Sequence, residues 1–330
     1  MKPPVYVTRR IPQAALEILR QECQVRIWDG DDPVPRATLL EEVAGCEGLF
    51  CLLTERVDTE LLEHAPRLRV VANMAVGYDN VDVPACTARG VVVTNTPGVL
   101  TETTADLAFA LILATARRLV EAARFLAAGQ WKTWAPMLLT GRDVYGSTLG
   151  LVGFGRIGQA VARRARGFDM RILYHDPQRW EDAEKALGAT RVALDDLLRQ
   201  SDVVSIHAPL TPDTHHLIGE RELRLMKPTA ILVNTARGPL VDEAALYRAL
   251  REGRIWAAGL DVFEREPIGP DHPLLSLPNV VALPHIASAS IATRTRMATL
   301  AAENLVAVLR GEVPPTPVNP EVLPGPGHRP

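Results

Sequence analysis

Three glycines, Gly153, Gly155 and Gly158, break up the stretch TLGLVGFGRIG that runs from Thr148 to Gly158. The residues before them read as an apolar strand, and those after carry Ile157, Val161, Ala165 and Phe168 at helical spacing. A strand, a glycine turn and a helix in that order suit a pyrophosphate held at a helix N-terminus. The first glycine permits the turn, the second lets backbone approach the phosphates, and the third lets helix and strand pack closely. Glycine clusters also serve ordinary turns, so the next strand matters. It reads Ile172 to His175 and ends in Asp176, 23 residues beyond Gly153, where a carboxylate hydrogen-bonds a ribose 2′-hydroxyl and repels a 2′-phosphate. NAD is therefore the expected cofactor, with NADP possible through Arg179. The other reading of Asp176 is a turn before Pro177.

A dinucleotide site predicts an oxidoreductase. Open parallel sheets carry their sites at the ends of strands, and three apolar strands here end in polar segments: NTARG at 234–238, DVFEREP at 261–267 and LPHIAS at 283–288. Together they offer an Arg, a carboxylate and a His. Taken singly, Arg237 reads as a surface ion pair, Glu264 and Glu266 as solvated acids, and His285 as a structural histidine. His207 also ends a strand; His215 and His216 are adjacent, would face different ways on a regular element, and lack further ligands. No metal is expected.

With the glycine turn, these segments resemble the D-isomer-specific 2-hydroxyacid dehydrogenase family, and Val76-Gly77-Tyr78-Asp79-Asn80, Asn95-Thr96-Pro97 and Thr103-Thr104-Ala105-Asp106 are similar to its other habitual segments. The resemblance spans nearly the whole chain. Asn73 to Asp79 and Asp143 to Gly146 look most like the glyoxylate/hydroxypyruvate reductase branch. The resemblance implies NAD(P)H-dependent reduction of a small 2-oxo acid. His285 would donate the proton, Glu266, the acid before Pro267, would orient it and favour the imidazolium, and Arg237 would clamp the carboxylate and polarise the carbonyl. It further implies a carboxylate cradle of backbone amides at Val76 and Gly77. Phe154, Arg156 and Ile157, then Pro177 and Gln178, and also Thr104, Thr235, Ala236, Asp261 and Ala287, would line the cofactor with the glycines and Asp176.

Other members mark the alternatives. Phosphite dehydrogenases carry a Lys in the segment where this chain has Ala75-Val76-Gly77, and formate dehydrogenases a Gln in place of the Glu, so the chain departs from both. Phosphoglycerate dehydrogenases usually add a regulatory domain, although short forms exist. Corepressors of the family use the fold as an NAD-sensing scaffold, and a hydrolase that retains NAD is a more distant reading.

What must position these groups is a chain of 330 residues, long enough for two cores. An apolar share of 47% with 23% charged residues is that of a folded globular protein. The net charge of -3, with basic residues scattered among acids, excludes the basic face that nucleic acid needs. No run is long enough for a membrane span, and a cytoplasmic protein without a targeting peptide is expected. The four cysteines, Cys23, Cys46, Cys51 and Cys86, form no C-x-x-C pair and are expected to be buried thiols.

Strand-like runs begin near residues 5, 25, 48, 68 and 91, and again near 149, 171, 203, 230, 257 and 280. Their alternation with helical stretches predicts an α/β protein of two doubly wound parallel-sheet domains. One is a flavodoxin-like substrate domain, 1–99 with 287–330, and the other a Rossmann cofactor domain, 100–286, with the cleft between them expected to close on substrate. A single apolar helix is expected from Thr101 to a stop at Gly129, and another from about Ile291 to Leu309. The proline-rich residues after it suggest an arm on another surface. The 101–129 helix and the Trp131 to Tyr145 segment suggest a homodimer surface.

Overall fold

The computed structural model describes residues 1–30 and 32–323. The chain divides into two compact units, Met1–Leu100 with the segment from Ala289 onward, and Thr101–Ser288.

In the first unit, β1 (Pro4–Val7), β2 (Gln24–Ile27), β3 (Gly48–Cys51), β4 (Val70–Asn73) and β5 (Val92–Thr94) form one parallel sheet in the order β2-β1-β3-β4-β5, the flavodoxin-like order. The strands β3, β4 and β5 are buried along their length, as a sheet covered on both faces requires. At the edge, β2 is partly exposed. Helix Ile291–Leu309 packs on helix Gln13–Glu22 and on β4, and Ser290 caps it by accepting the Thr293 amide.

The proline-rich residues that follow lie along the open edge of this same sheet. Val318 N donates to Val93 O at 2.7 Å. The buried Asn319 accepts the Val93 amide at 2.7 Å and donates to Val91 O at 3.0 Å and to Thr87 Oγ1 at 2.9 Å. The amide side chain thus does for β5 what a further strand would do. The end of the expected arm, 324–330, lies outside the described residues.

The second unit holds seven parallel strands: β6 (Thr148–Val152), β7 (Arg171–His175), β8 (Ala189–Arg191), β9 (Val203–Ile206), β10 (Ile231–Asn234), β11 (Ala257–Leu260) and β12 (Val280–Ala282). Their order, β12-β11-β10-β9-β6-β7-β8, is that of a dinucleotide-binding sheet with one strand added, and it reverses direction between β6 and β9. Strand β8, Ala-Thr-Arg, escapes the sequence reading because a three-residue edge strand with two exposed side chains has no apolar run.

The single helix expected over 101–129 is two, Thr101–Ala116 and Leu119–Ala127. Arg118 stands between them in the left-handed region at φ 53°, and the Ala116 carbonyl accepts Arg142 N instead of continuing the helical ladder. A sequence without Pro or Gly at the break gives no local sign of this. The four cysteines are buried free thiols, and burial pushes Cys86 up to about 12 and Cys23 up to about 11. No helix among the described residues is long and apolar enough to cross a membrane.

Asn319→Ala should destabilise the first unit by about 2 kcal/mol, since it strands the Val93 amide and the Val91 carbonyl. Urea unfolding monitored by circular dichroism reads this, and an unchanged midpoint would show that the edge needs no such cover.

Candidate active site

At the point where the strand order reverses, each glycine of the turn meets a different constraint. Gly153 leaves β6 at φ 92°, and a Cβ there would sit 2.6 Å from the carbonyl carbon of His207, just beyond β9. A Cβ on Gly158 would lie 2.4 Å from the Gly153 carbonyl oxygen, so this glycine sets how closely helix Arg156–Ala165 approaches the strand. Gly155, the N-cap of that helix, has nothing within 4 Å of where its Cβ would be. Two glycines are therefore required by the protein itself, whereas the middle one borders open space before a helix N-terminus, where amides carry partial positive charge. Arg156 is exposed and Ile157 half-buried on the first helical turn. Phe154 turns inward, fully buried and stacked on Tyr174 at 4.1 Å, so only its backbone faces the turn.

Asp176 is tied to this turn. Its Oδ2 accepts the Phe154 amide at 2.7 Å and its Oδ1 the Gln178 amide at 2.9 Å, while Arg191 donates to the carbonyls of Asp176 and Pro177. Arg179 is turned aside by Glu184, at 3.1 Å. An open cradle at a helix N-terminus beside a fixed acid fits the phosphates and ribose of a dinucleotide.

The second cluster lies at the ends of β10, β11 and β12, which run in register. After β10, the buried Asn234 accepts the Ala236 amide at 3.0 Å and donates to the Arg237 carbonyl at 2.8 Å, so one side chain shapes the turn that presents Arg237. A Cβ on Gly238 would lie 1.8 Å from the Phe263 carbonyl carbon. Only glycine lets this turn pass so close to the 263–266 loop. In that loop Glu266 accepts the Phe263 amide at 2.9 Å through Oε1 and binds His285 Nδ1 at 2.7 Å through Oε2. Burial pushes the Glu266 carboxyl up, but the His285 hydrogen bond and charge, the Phe263 amide and the Arg237 charge outweigh it and hold the group below its ordinary value. Arg237, Glu266 and His285 are thus brought together.

His285 itself stands in the left-handed region at φ 54°. Its amide donates to Asp261 O at 2.8 Å, and the next two amides, of Ile286 and Ala287, donate to the Asp261 carboxylate at 2.8 and 2.7 Å. Asp261 is fully buried, so in this chain it holds the histidine loop. Thr235 Oγ1 is buried with no hydrogen-bond partner among the described residues, and Thr104 is buried in helix Thr101–Ala116.

The two acids of the 263–266 loop have separate duties. Glu264 accepts the Glu243 amide at 3.0 Å and meets His216 Nε2 at 3.0 Å, away from His285. His215 and His216 do not face different ways. Their rings stack at 4.0 Å, because His216 lies in a turn at φ 52° and not on a regular element. His207 is bonded to Ser205 at 2.9 Å, and burial pushes its imidazole down to about 4, so it stays neutral. Among the described residues no group of three or more His, Cys, Asp or Glu could hold a metal. Val76 and Gly77 belong to the first unit, on the half-buried loop after β4. The residues missed in sequence, Asn234 and Gly238, carry no sign beyond standing at a strand end beside an arginine.

The family model for the NAD binding domain of D-isomer specific 2-hydroxyacid dehydrogenases matches residues 109–287. The chain is 59% identical over 98% of its length, and 98% of theirs, to the glyoxylate reductase of Korarchaeum cryptofilum, and 55% identical with the same coverage to that of Thermococcus gammatolerans. Among solved structures it is similar to an NADPH-dependent glyoxylate/hydroxypyruvate reductase from Sinorhizobium meliloti in complex with NADP and malonate. The two are 37% identical with a TM-score of 0.85, over 99% of this chain and 100% of that one.

The unequal glycines make a paired prediction. Gly158→Ala should cost about 1–3 kcal/mol of stability, because backbone must move, whereas Gly155→Ala should leave stability within about 0.5 kcal/mol yet weaken NADH binding about tenfold or more through the lost approach to phosphate. Thermal unfolding and NADH fluorescence titration separate the two effects. A Gly155→Ala protein that binds NADH normally would place the phosphates elsewhere.

Proposed function

The chain belongs to the D-isomer-specific 2-hydroxyacid dehydrogenase family, and on that premise we propose that it reduces glyoxylate, and with it hydroxypyruvate, to the 2-hydroxy acid, using NADH and, less readily, NADPH. The observation that carries the reading is the 2.7 Å bond between His285 Nδ1 and Glu266 Oε2, with the Arg237 charge felt at the same carboxylate. Gly153, Gly155, Gly158 and Asp176 would hold a nicotinamide dinucleotide, which would supply the hydride.

This chain's own groups do the rest. Arg237 offers its planar fork to the substrate carboxylate and draws charge toward the carbonyl oxygen. With Nδ1 engaged by Glu266, Nε2 of His285 is the atom that gives its proton to that oxygen. Glu266 stabilises the protonated ring and fixes its direction. The backbone amides at Val76 and Gly77 serve as a second anchor for the carboxylate. Asp176, beside a 2′-phosphate, disfavours NADP by like charge, and Arg179 would soften this only by leaving Glu184. The exposed Trp131, Trp134, Met137 and Tyr145 support a homodimer, which we place in the cytoplasm.

His285→Ala should lower kcat for glyoxylate about 10²–10⁴-fold, and Glu266→Gln about 10²-fold, with NADH binding retained. Loss of NADH absorbance on adding glyoxylate measures both. Tight NADH binding without turnover on any 2-oxo acid would favour an NAD-sensing scaffold. The Glu266 carboxyl is depressed in the folded chain, so its contribution to stability is complete above the unfolded value, about 4.3, and is lost as pH falls through the folded one. Acid should therefore take activity and stability together, and Glu266→Gln should flatten the acid limb of the stability profile.

A further inference from the structure

The first unit buries several polar side chains at the ends of its strands, among them Thr8, Glu55, Asn73 and Thr96. Glu55 is almost wholly buried beyond β3, where its carboxylate accepts Thr8 Oγ1 at 2.6 Å, the Leu52 amide at 2.8 Å and Thr54 Oγ1 at 2.6 Å. A carboxylate taken from water is costly unless so fully bonded. From it a chain of amide side chains runs sideways. Asn80 Nδ2 donates to the carbonyls of Glu55 at 2.8 Å and Leu52 at 3.0 Å. Its Oδ1 accepts from Asn73 Nδ2 at 3.2 Å, and that nitrogen, wholly buried at the end of β4, also donates to the Gly77 carbonyl at 3.0 Å.

What this chain acts on is the loop expected to meet the substrate carboxylate. Three successive carbonyls of that loop are held: Ala75 O by the Thr96 amide at 2.8 Å, Val76 O by Asn95 Nδ2 at 2.8 Å, and Gly77 O by Asn73. The amides of Val76 and Gly77 make no hydrogen bond among the described residues. A peptide plane has only two sides, so pinning its oxygen fixes where the N–H of the next residue points. Successive amides turned the same way form a concavity for an anion.

We propose that Asn95, Asn73 and Asn80 are positioning residues for the Val76 and Gly77 amides: Asn95, on the Val76 carbonyl, directs the Gly77 amide toward the substrate carboxylate, and Asn73, backed by Asn80, fixes the peptide that follows, with Glu55 as the buried anchor. This rests on the reading of the chain as a 2-oxo acid reductase, and it assigns substrate affinity to side chains that never touch substrate.

The test uses the full-length protein with Asn80→Ala and, since Asn80 has a wider structural role, Asn95→Ala, whose side chain holds the Val76 carbonyl alone. We expect KM for glyoxylate and the inhibition constant of oxamate, a non-reducible carboxylate of similar shape, to rise together by about threefold in Asn80→Ala and about tenfold in Asn95→Ala, with kcat and the NADH dissociation constant within about twofold. A purely structural role would not split the constants in this way. Unchanged KM and oxamate inhibition in both variants would overturn the proposal, as would a parallel loss of kcat and NADH binding. If the unsubstituted chain binds NADH but reduces no 2-oxo acid, the functional reading itself fails, and the proposal with it.

Discussion

Asp261 is fully buried at the end of β11, and its carboxylate accepts the amides of Ile286 and Ala287 while its own carbonyl accepts that of His285. The left-handed backbone at His285 costs about 1–2 kcal/mol in a residue with a Cβ, and these three hydrogen bonds hold it there. Burial pushes the Asp261 carboxyl above its usual range, and the two amides pull it part of the way back. An asparagine would not serve as well, because its NH2 would face one of two donors. The direction of the imidazole, and through it the bond to Glu266, thus depends on a charge that lies beneath the surface.

The same sheet explains how groups far apart in sequence meet. β10, β11 and β12 are parallel and in register, so Asn234 stands beside Leu260 and Leu260 beside Ala282, and the residues that follow all leave from one edge. Gly238, by lacking a side chain, then lets the Arg237 turn lie against the 263–266 loop. In both units an asparagine near the end of a strand shapes the backbone of the loop that matters, Asn234 for Arg237 and Asn95 for Val76. An amide side chain suits this duty because it donates and accepts at once and carries no charge to bury.

Much of this was legible because it is repetitive or punctuated. Of the twelve strands among the described residues, eleven read in the sequence as apolar or β-rich runs, while β8 had no such run to offer. Glycine spacing found the turn, but only the backbone approach distinguishes Gly155, with open space, from Gly153 and Gly158, which face backbone. Two acids two residues apart look alike in a sequence. Glu264 is drawn to the Glu243 amide and His216, and Glu266 to His285, by the path of the loop. The break at Arg118 escaped notice because its cause, the packing of Gly141 and Arg142 against the Ala116 carbonyl, lies more than twenty residues away. What pattern could not supply was in each case a tertiary contact overriding a local preference.

The charges of the proposed catalytic set carry one further consequence. Glu266 is held ionised, so a protonated His285 and Glu266 balance, and Arg237 alone faces the single negative charge of a 2-oxo monocarboxylate. Once Nε2 has given up its proton, Glu266 is no longer balanced and the set is neutral. A hydride given up by a bound nicotinamide dinucleotide would leave the balancing positive charge on that ring, so the net charge facing the carboxylate would be the same before and after, in a partly buried site where a unit of charge counts for more than in water. In the proposed set, proton donation would relocate charge without changing its sum, and Glu266, the carboxylate that orients the histidine, is the group that a returning proton on His285 would balance again. A neutral partner in place of Glu266 could still orient the ring, but it would leave an excess positive charge beside the product.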